Sequence, residues 1–374
     1  MSTGTCADLD ARARQDGRWW TTFAAGSMGD AKRRAIIGAL FVVSLAACSE
    51  PSVTVEGAGA TAATPILDAW IDTFETERPE VDVIYDPVGS TTGPRSLLLG
   101  DVDFATTEIP AAAETTVAPE SDVARVPLML TRVVLAFNVR GLATLRLTRD
   151  MVVDIYAGRL TAWNDPRISA LNPDVRLPGW PIRPIHRSDR SGTSYVFTRF
   201  LSASSAAWRD GVGVGDVVVW PTGGGSIGTL GMTQTLRFSP GTIGYLPETR
   251  IAPDAPDVGI VEIVQDGEAA VASFAETLAS SLAATDDEDI LRTDPARFNH
   301  YPIPVITYAL FRTEYADEAV ARATREFLLH ALAESASDDP RLGVRGMPAA
   351  IRERATDVVG RIGIASAASP PSDG

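Results

Sequence analysis

Three times along this chain an extended segment runs into a loop of small residues that opens a helix, and the third loop carries a fixed cation. The first loop holds Gly57, Gly59, Thr61, Ala62, Thr64 and Pro65, followed by Ile66, Trp70 and Phe74 at helical spacing. Pro65 suits a first helical turn, where its missing N–H costs nothing. The second holds Gly89, Ser90, Thr91, Thr92, Gly93 and Pro94, after the strand-like stretch 81–85 and before Ser96, Leu97, Leu98 and Leu99. The third reads His186, Arg187, Ser188, Asp189, Arg190, Ser191, Gly192, Thr193, Ser194 and then turns apolar with Tyr195, Val196, Phe197 and Phe200. A helix start offers unpaired N–H groups and the positive end of a dipole, a natural seat for an oxyanion. Arg187 adds a charge that cannot be lost and a planar fork that matches phosphate oxygens, and Asp189 is spaced to hold that fork. Taken alone, the third loop reads equally as an ordinary Ser-capped helix with a surface Arg–Asp pair. Three such loops together fit one small oxyanion held by neutral donors and one Arg.

The N-terminal segment constrains location. Lys32, Arg33 and Arg34 precede an apolar run over 35–45, and Leu45, Ala46, Ala47 and Cys48 close it. That is a secretory signal, too short to span a bilayer. Its ending resembles the bacterial lipobox, in which the Cys becomes the lipidated first residue of the mature chain; a plain signal peptide with an incidental Cys is the alternative. Met28 stands at the natural start of such a signal, so residues 1–27 read as an upstream extension. Beyond Ala47 the chain has no Cys other than Cys48, so no internal disulfide and no thiol nucleophile is expected. The three histidines, His186, His300 and His330, are far apart in sequence, and no metal site of the His/Cys kind is expected.

The formal net charge is −15, and six basic and four acidic residues precede Cys48, so the remainder stands near −17. Nucleic-acid binding needs a basic footprint and is disfavoured. An anion site remains compatible with an acidic surface, because surface charges are screened over about 8 Å at physiological salt while a buried Arg acts locally. The run Gly223 to Gly228 lacks the Lys of a nucleotide-binding loop and reads as a tight turn. Trp163, Trp208 and Trp220 read as packing residues.

Taken together, these loops resemble the phosphate-binding proteins of high-affinity phosphate ABC importers, the PstS family. The resemblance extends to Tyr156 through Asp165, to Leu171, Asn172 and Pro173, to Gly211 and Gly213, to Val219 through Gly224, and to Pro240 through Tyr245, in the family's order. It implies an α/β, two-lobed periplasmic-binding-protein fold of type II-like plan, with mixed sheets flanked by helices and the ligand cleft between lobes. On it, residues 1–47 are extension and signal peptide, 48–52 the lipidated terminus and linker, 53–129 plus 305–374 lobe I, and 130–304 lobe II. The very apolar stretches 125–139 and 301–311 would be crossing strands. Residues 317–332 read as an amphipathic helix with Ala319, Ala323, Phe327 and Leu328 on one side, and 366–374 as a Ser/Ala/Pro tail.

The resemblance assigns roles to individual residues. Thr61, Ala62, Ser90, Arg187, Ser191, Gly192 and Thr193 match the family's ligand-binding positions, with Ala62 donating through its backbone where the family usually has Phe. Asp189 matches the carboxylate that orients the Arg, and Cys48 the lipidation site. Glu108 stands where the family places an Asp that accepts a hydrogen bond from the protonated phosphate, and it adds one methylene. A buried carboxylate there welcomes a proton-bearing anion and repels sulfate. The expectation is a lipid-anchored receptor on the extracytoplasmic face of the bacterial membrane, monomeric and without cofactor, that hands inorganic phosphate to an ABC permease. A receptor or sensor for another tetrahedral oxyanion is the alternative. A serine hydrolase using Ser191, Asp189 and His186 is a remote one, since three triad members within six residues rarely align.

Overall fold

β-Branched and small residues at the N-terminal end of the globular region build a parallel unit. The computed structural model describes residues 53–113, 122–251, 258–265, 268–269 and 303–364. β1 (Val53–Gly59) lies between β2 (Val81–Asp86) and β3 (Phe104–Thr107), parallel to both. α1 (Thr64–Glu77) and α2 (Thr92–Leu99) are the crossovers. Pro65 sits in the first turn of α1, and the helix buries Ile66, Leu67, Trp70, Ile71 and Phe74 on one face. Gly59, at φ +151, passes so close to β3 that a Cβ would meet the Thr106 carbonyl oxygen at 2.1 Å, so the crossing requires a glycine.

The apolar stretch predicted to cross between lobes is β4 (Val123–Phe137), fifteen residues in one strand. Next come β5 (Thr144–Leu147), α3 (Arg149–Tyr156), α4 (Pro166–Leu171), β6 (Arg183–Arg187), α5 (Gly192–Ser204) and α6 (Ala206–Gly211). They are followed by β7 (Gly224–Ser226), α7 (Gly228–Phe238), β8 (Thr242–Pro247), β9 (Gly259–Gln265) and β10 (Glu268–Ala269). The chain then returns through β11 (Ile303–Arg312) to β12 (Glu314–Tyr315), α8 (Glu318–Glu334), α9 (Ala349–Val359) and β13 (Gly363–Ile364).

The main sheet runs β2-β1-β3-β11-β4-β8-β6-β7. β11 pairs antiparallel with β4 from Ile303↔Val133 to Arg312↔Val123, with a register shift between Thr307 and Tyr308. The far end of β4, from Val133 to Phe137, pairs instead with β8 and, at Ala136 and Phe137, with β9. The expected mixed α/β architecture is present, and its strands are continuous from one half to the other. Because β4 is long enough to serve both halves, they share one mixed sheet, eleven-stranded among the described residues, beside a small parallel pair of β12 and β13.

The side chains divide the molecule where the backbone does not. One core gathers Phe74, Phe104, Phe311 and Phe327 with Val126, Leu128 and Met129 of β4. A second gathers Tyr156, Trp163, Phe197 and Tyr245 with Val133, Leu135 and Phe137 of the same strand. A third, smaller one gathers Leu130, Ile306 and Met347 with Tyr308 and Leu310 of β11, which alternate with Ala309 and Phe311 of the first core and so face the other side of the sheet. Phe327 has ring neighbours Phe74 at 5.5 Å and Phe104 at 5.4 Å, and truncating so buried an aromatic typically costs about 3–5 kcal/mol. α8 begins at an Asp317 cap that accepts from the Ala319 and Val320 N–H groups. Ala323, Phe327 and Leu328 lie on its buried face as expected, while Ala319 is partly exposed. Trp163 and Trp208 are buried, and Trp220 packs beside Tyr156 and Phe197. The expected signal peptide, Cys48, the expected linker over 48–52, His300 and the expected tail over 366–374 lie outside the described residues.

Candidate functional site

The third loop forms as its residue types require. β6 ends at Arg187, and Ser191 takes an extended conformation (φ −142, ψ 122) at the cap of α5. Its Oγ accepts from the Ser194 N–H at 3.2 Å. The Ser-capped helix and the Arg–Asp pair of the ordinary reading are thus both present. What sets them apart is burial: Arg187 is 5% exposed.

Arg187 is held from several directions. Its Nε donates to Asp189 Oδ1 at 2.7 Å and its Nη2 to Asp189 Oδ2. Its Nη1 donates to Thr229 Oγ1 at 3.3 Å, and its backbone N–H to the Tyr245 hydroxyl at 3.0 Å. That hydroxyl lies 2.7 Å from Ser194 Oγ, and burial pushes its pKa up to about 12 against the lowering effect of those bonds, so it stays a neutral phenol. Asp189 also accepts from the Gly228 N–H at 3.0 Å. Burial alone would raise its carboxyl; the Arg187 hydrogen bonds and charge, with Gly228, outweigh this and hold it below the usual range.

The loops of the first lobe meet this arrangement from the other side. Thr61, on the turn before α1, places its Oγ1 2.8 Å from Thr229 Oγ1. Ala62 is buried on the same turn. Glu108, directly after β3, is 4% exposed, and its Oε2 accepts from Thr193 Oγ1 at 2.8 Å. Its own N–H donates to Ser90 Oγ at 3.4 Å. The methylene that Glu108 has beyond an Asp is what carries its carboxylate across to Thr193. Gly192 comes close enough to these groups that a Cβ would meet Ser90 Oγ at 2.5 Å and Glu108 Cβ at 2.6 Å. Thr91 Oγ1 donates to Asp216 Oδ2 at 2.7 Å, and the Asp216 carbonyl accepts from the Ser191 N–H at 3.1 Å.

Burial raises the Glu108 pKa most strongly, while the Thr193 hydrogen bond and the Arg187 charge work to lower it. The net shift is upward, because burial penalises the charged form. A cavity of about 450 Å³ opens beside these groups, walled by Thr91, Ile109, Arg190, Tyr195 and Asp216 among others. Three of these residues adjoin Ser90, Glu108 and Ser191 in the chain, but none of the eight matched residues lines the cavity itself.

The eight residues matched to ligand positions lie on loops, at the end of β6 or in the first turn of α5; hydrogen bonds and close approaches link Thr61 to Arg187 through Thr229, and Glu108 to Ser90, Gly192 and Thr193, with Asp189 behind the Arg. Sequence reasoning passed over Thr229, Gly228, Tyr245 and Asp216. The run Gly223 to Gly228, expected to be a turn, instead contains β7, parallel to β6 with Arg187 opposite Ser226, and delivers Gly228 and Thr229 to the Arg. The signal was available: a fourth strand-to-helix turn of small residues, the second in the second lobe. Gly224 to Gly228 also has Gly-x-Ser-x-Gly spacing on a strand-to-helix turn, the setting of a hydrolase elbow. Ser226 Oγ, however, lies 2.9 Å from Thr235 Oγ1, and His186 stacks on Trp220 with its Nδ1 3.0 Å from the Arg187 carbonyl oxygen. Neither Ser226 nor Ser191 has a hydrogen bond to a His among the described residues.

Comparison with known proteins follows the same lines. A family described as a PBP superfamily domain matches residues 46–333. The phosphate-binding protein PstS of Xylella fastidiosa strain 9a5c is 28% identical over 283 residues, 74% of this chain and 76% of that one. PstS of Methanocaldococcus jannaschii is 28% identical over 331 residues, 78% of this chain and 85% of that one. Among solved structures, the ancestral soluble variant of the human phosphate-binding protein superposes with a TM-score of 0.62 at 19% identity, covering 83% of this chain and 99% of that one.

Proposed function

From the premise that this chain belongs to the PBP superfamily, we propose that it is an extracytoplasmic receptor that captures inorganic phosphate between its lobes and delivers it to an ABC importer. The curated relatives are phosphate-binding proteins, which supports the ligand class. The observation that carries the reading is the buried Arg187, locked by Asp189 and Thr229 and faced by Glu108. The lobes are residues 53–129 plus 305–374 and 130–304. Thr61, Ala62, Ser90, Ser191, Gly192 and Thr193 supply neutral donors, and Arg187 the cation. Glu108 accepts the proton that phosphate carries near neutral pH and sulfate lacks, which makes it the selectivity element.

The protein acts by binding and not by chemistry on its ligand. It is anchored through lipid on Cys48. Lipidation contributes about 0.8 kcal/mol per buried CH2, and more than one chain gives durable attachment. Release of Cys48→Ser into the soluble fraction, or its accumulation as precursor, checks the anchor; a wild type without lipid at Cys48 sinks it.

Calorimetric titration of the chain from Cys48 with phosphate, arsenate and sulfate tests the whole reading. Phosphate and arsenate should bind and sulfate should not. Sulfate binding as tight as phosphate would reduce the assignment to an unspecified oxyanion, and no binding of any of them would remove it.

A further inference from the structure

Thr229 belongs to none of the three loops that define the site, yet it touches two of them. It lies in the first turn of α7, fully inside the protein, with Oγ1 2.8 Å from Thr61 Oγ1 and 3.3 Å from Arg187 Nη1. A guanidinium can only donate, so the Thr229 oxygen accepts from Arg187. The Thr229 hydroxyl proton still needs an acceptor, because buried polar groups are almost always paired. Thr61 Oγ1 stands at the right distance to receive it. The direction then runs Arg187 to Thr229 to Thr61, and the proton of Thr61 is left pointing away from Thr229, free to meet an anion.

The same helix start acts on the other end of the guanidinium. Gly228 donates its N–H to Asp189, which holds Nε and Nη2, while Thr229 holds Nη1. Asp189 alone would leave the Nη1 corner of the fork unpinned. Thr61 is in the first lobe and Thr229 in the second, so the contact also joins the lobes. Arg250 Nη2 adds a longer bond of 3.5 Å to the Thr61 carbonyl oxygen.

We infer that Thr229 is a positioning residue: its hydroxyl orders Arg187 and Thr61 toward the bound anion and ties the two lobes together at that point. The inference rests on the reading of this cleft as an oxyanion site. It makes the start of α7 a fourth component of the site, acting through the others.

The test compares wild type with Thr229→Val, Thr229→Ser, Thr61→Val and the double variant Thr61→Val with Thr229→Val. Phosphate affinity is measured by calorimetry, and amide exchange over residues 60–64 is measured without ligand. Val keeps the shape and removes the hydroxyl, and Ser restores the hydroxyl. Thr229→Val should weaken phosphate roughly tenfold, the size of a lost buried hydrogen bond that leaves its partner unpaired. Thr229→Ser should recover most of that loss. The double variant should be little worse than the worse single variant, because both break one relay. Exchange over 60–64 should quicken in Thr229→Val while the melting temperature moves little.

Unchanged affinity in Thr229→Val, no recovery in Thr229→Ser, or strictly additive losses would overturn the inference. If wild type binds no phosphate, the proposed function falls. The exchange measurement then decides the tie between lobes by itself, and unchanged exchange over 60–64 in Thr229→Val would refute it.

Discussion

Arg187 and Glu108, two charged residues of the cleft, are built in opposite ways. Arg187 is fixed on every side, by Asp189, Thr229 and Tyr245, and Asp189 is itself fixed by Gly228. Glu108 is as deeply buried, yet its carboxylate accepts one hydroxyl, from Thr193, and its pKa is driven upward by burial. Fixing a cation in advance lowers the reorganisation needed when an anion arrives, so in the proposed function Arg187 is the source of affinity. Leaving a carboxylate under-satisfied makes it dependent on a ligand that brings a proton, so in the proposed function Glu108 is the source of discrimination. The contrast divides the site into a rigid half on β6 and α7 and a responsive half on the loops after β2 and β3.

The largest effect should come from the rigid half. Arg187→Ala removes the cation and leaves Asp189 facing the anion, and the loss expected on breaking a buried charged pair is on the order of 2–5 kcal/mol of phosphate affinity. Arg187→Lys should recover little, because a point charge cannot engage Asp189 through two bonds. Near-native binding in Arg187→Ala would show that the anion lies elsewhere and that the two halves are not parts of one site.

A somewhat smaller effect is expected where the halves touch. Gly192 opens α5, and Ala is the better helix former by about 1 kcal/mol in a helix interior. The added Cβ would nevertheless meet Ser90 Oγ and Glu108 Cβ across the cleft at 2.5 and 2.6 Å. Gly192→Ala should therefore weaken phosphate by about 1–3 kcal/mol, the usual scale of overpacking, with little change in melting temperature. Small-angle scattering should find it more open than wild type at saturating phosphate. Equal compaction in both would mean that Ser90 and Glu108 give way, and the close approach would carry no specificity.

This division also marks what the sequence could and could not reveal. The loops around Thr61, Ser90 and Arg187 were legible because each is local: a strand, small hydroxyl residues and a helix start, all within about ten positions. The long apolar stretch of β4 was legible for the same reason, although one sheet running through both halves was not, since pairing partners such as Val133 with both Ile303 and Pro247 are set far away in the chain. Thr229 was missed because its role is defined by Thr61 and Arg187, 168 and 42 positions distant. The use of Glu108's extra methylene was likewise hidden until Thr193 appeared opposite it.

The responsive half is tested by Glu108→Gln, which keeps the shape and replaces a buried charge by an amide. It should weaken phosphate modestly and let sulfate compete, since the unpaired like charge that excludes sulfate is gone. An unchanged ratio of the two affinities would place Glu108 outside the ligand's reach. The smallest effect is on stability, and its sign runs against function. A carboxyl whose folded pKa is raised contributes stability below its unfolded pKa and loses it as pH rises through the folded value. Wild type without ligand should thus lose a contribution toward neutral pH that Glu108→Gln never loses. Asp189, held low by Arg187, behaves oppositely, with stability lost as pH falls, but it is common to both proteins and cancels in the difference. The melting temperature of Glu108→Gln should exceed that of wild type near pH 7, and the gap should close in acid. A gap independent of pH would mean that Glu108 is not the titrating group, and the responsive half would then owe its behaviour to shape alone.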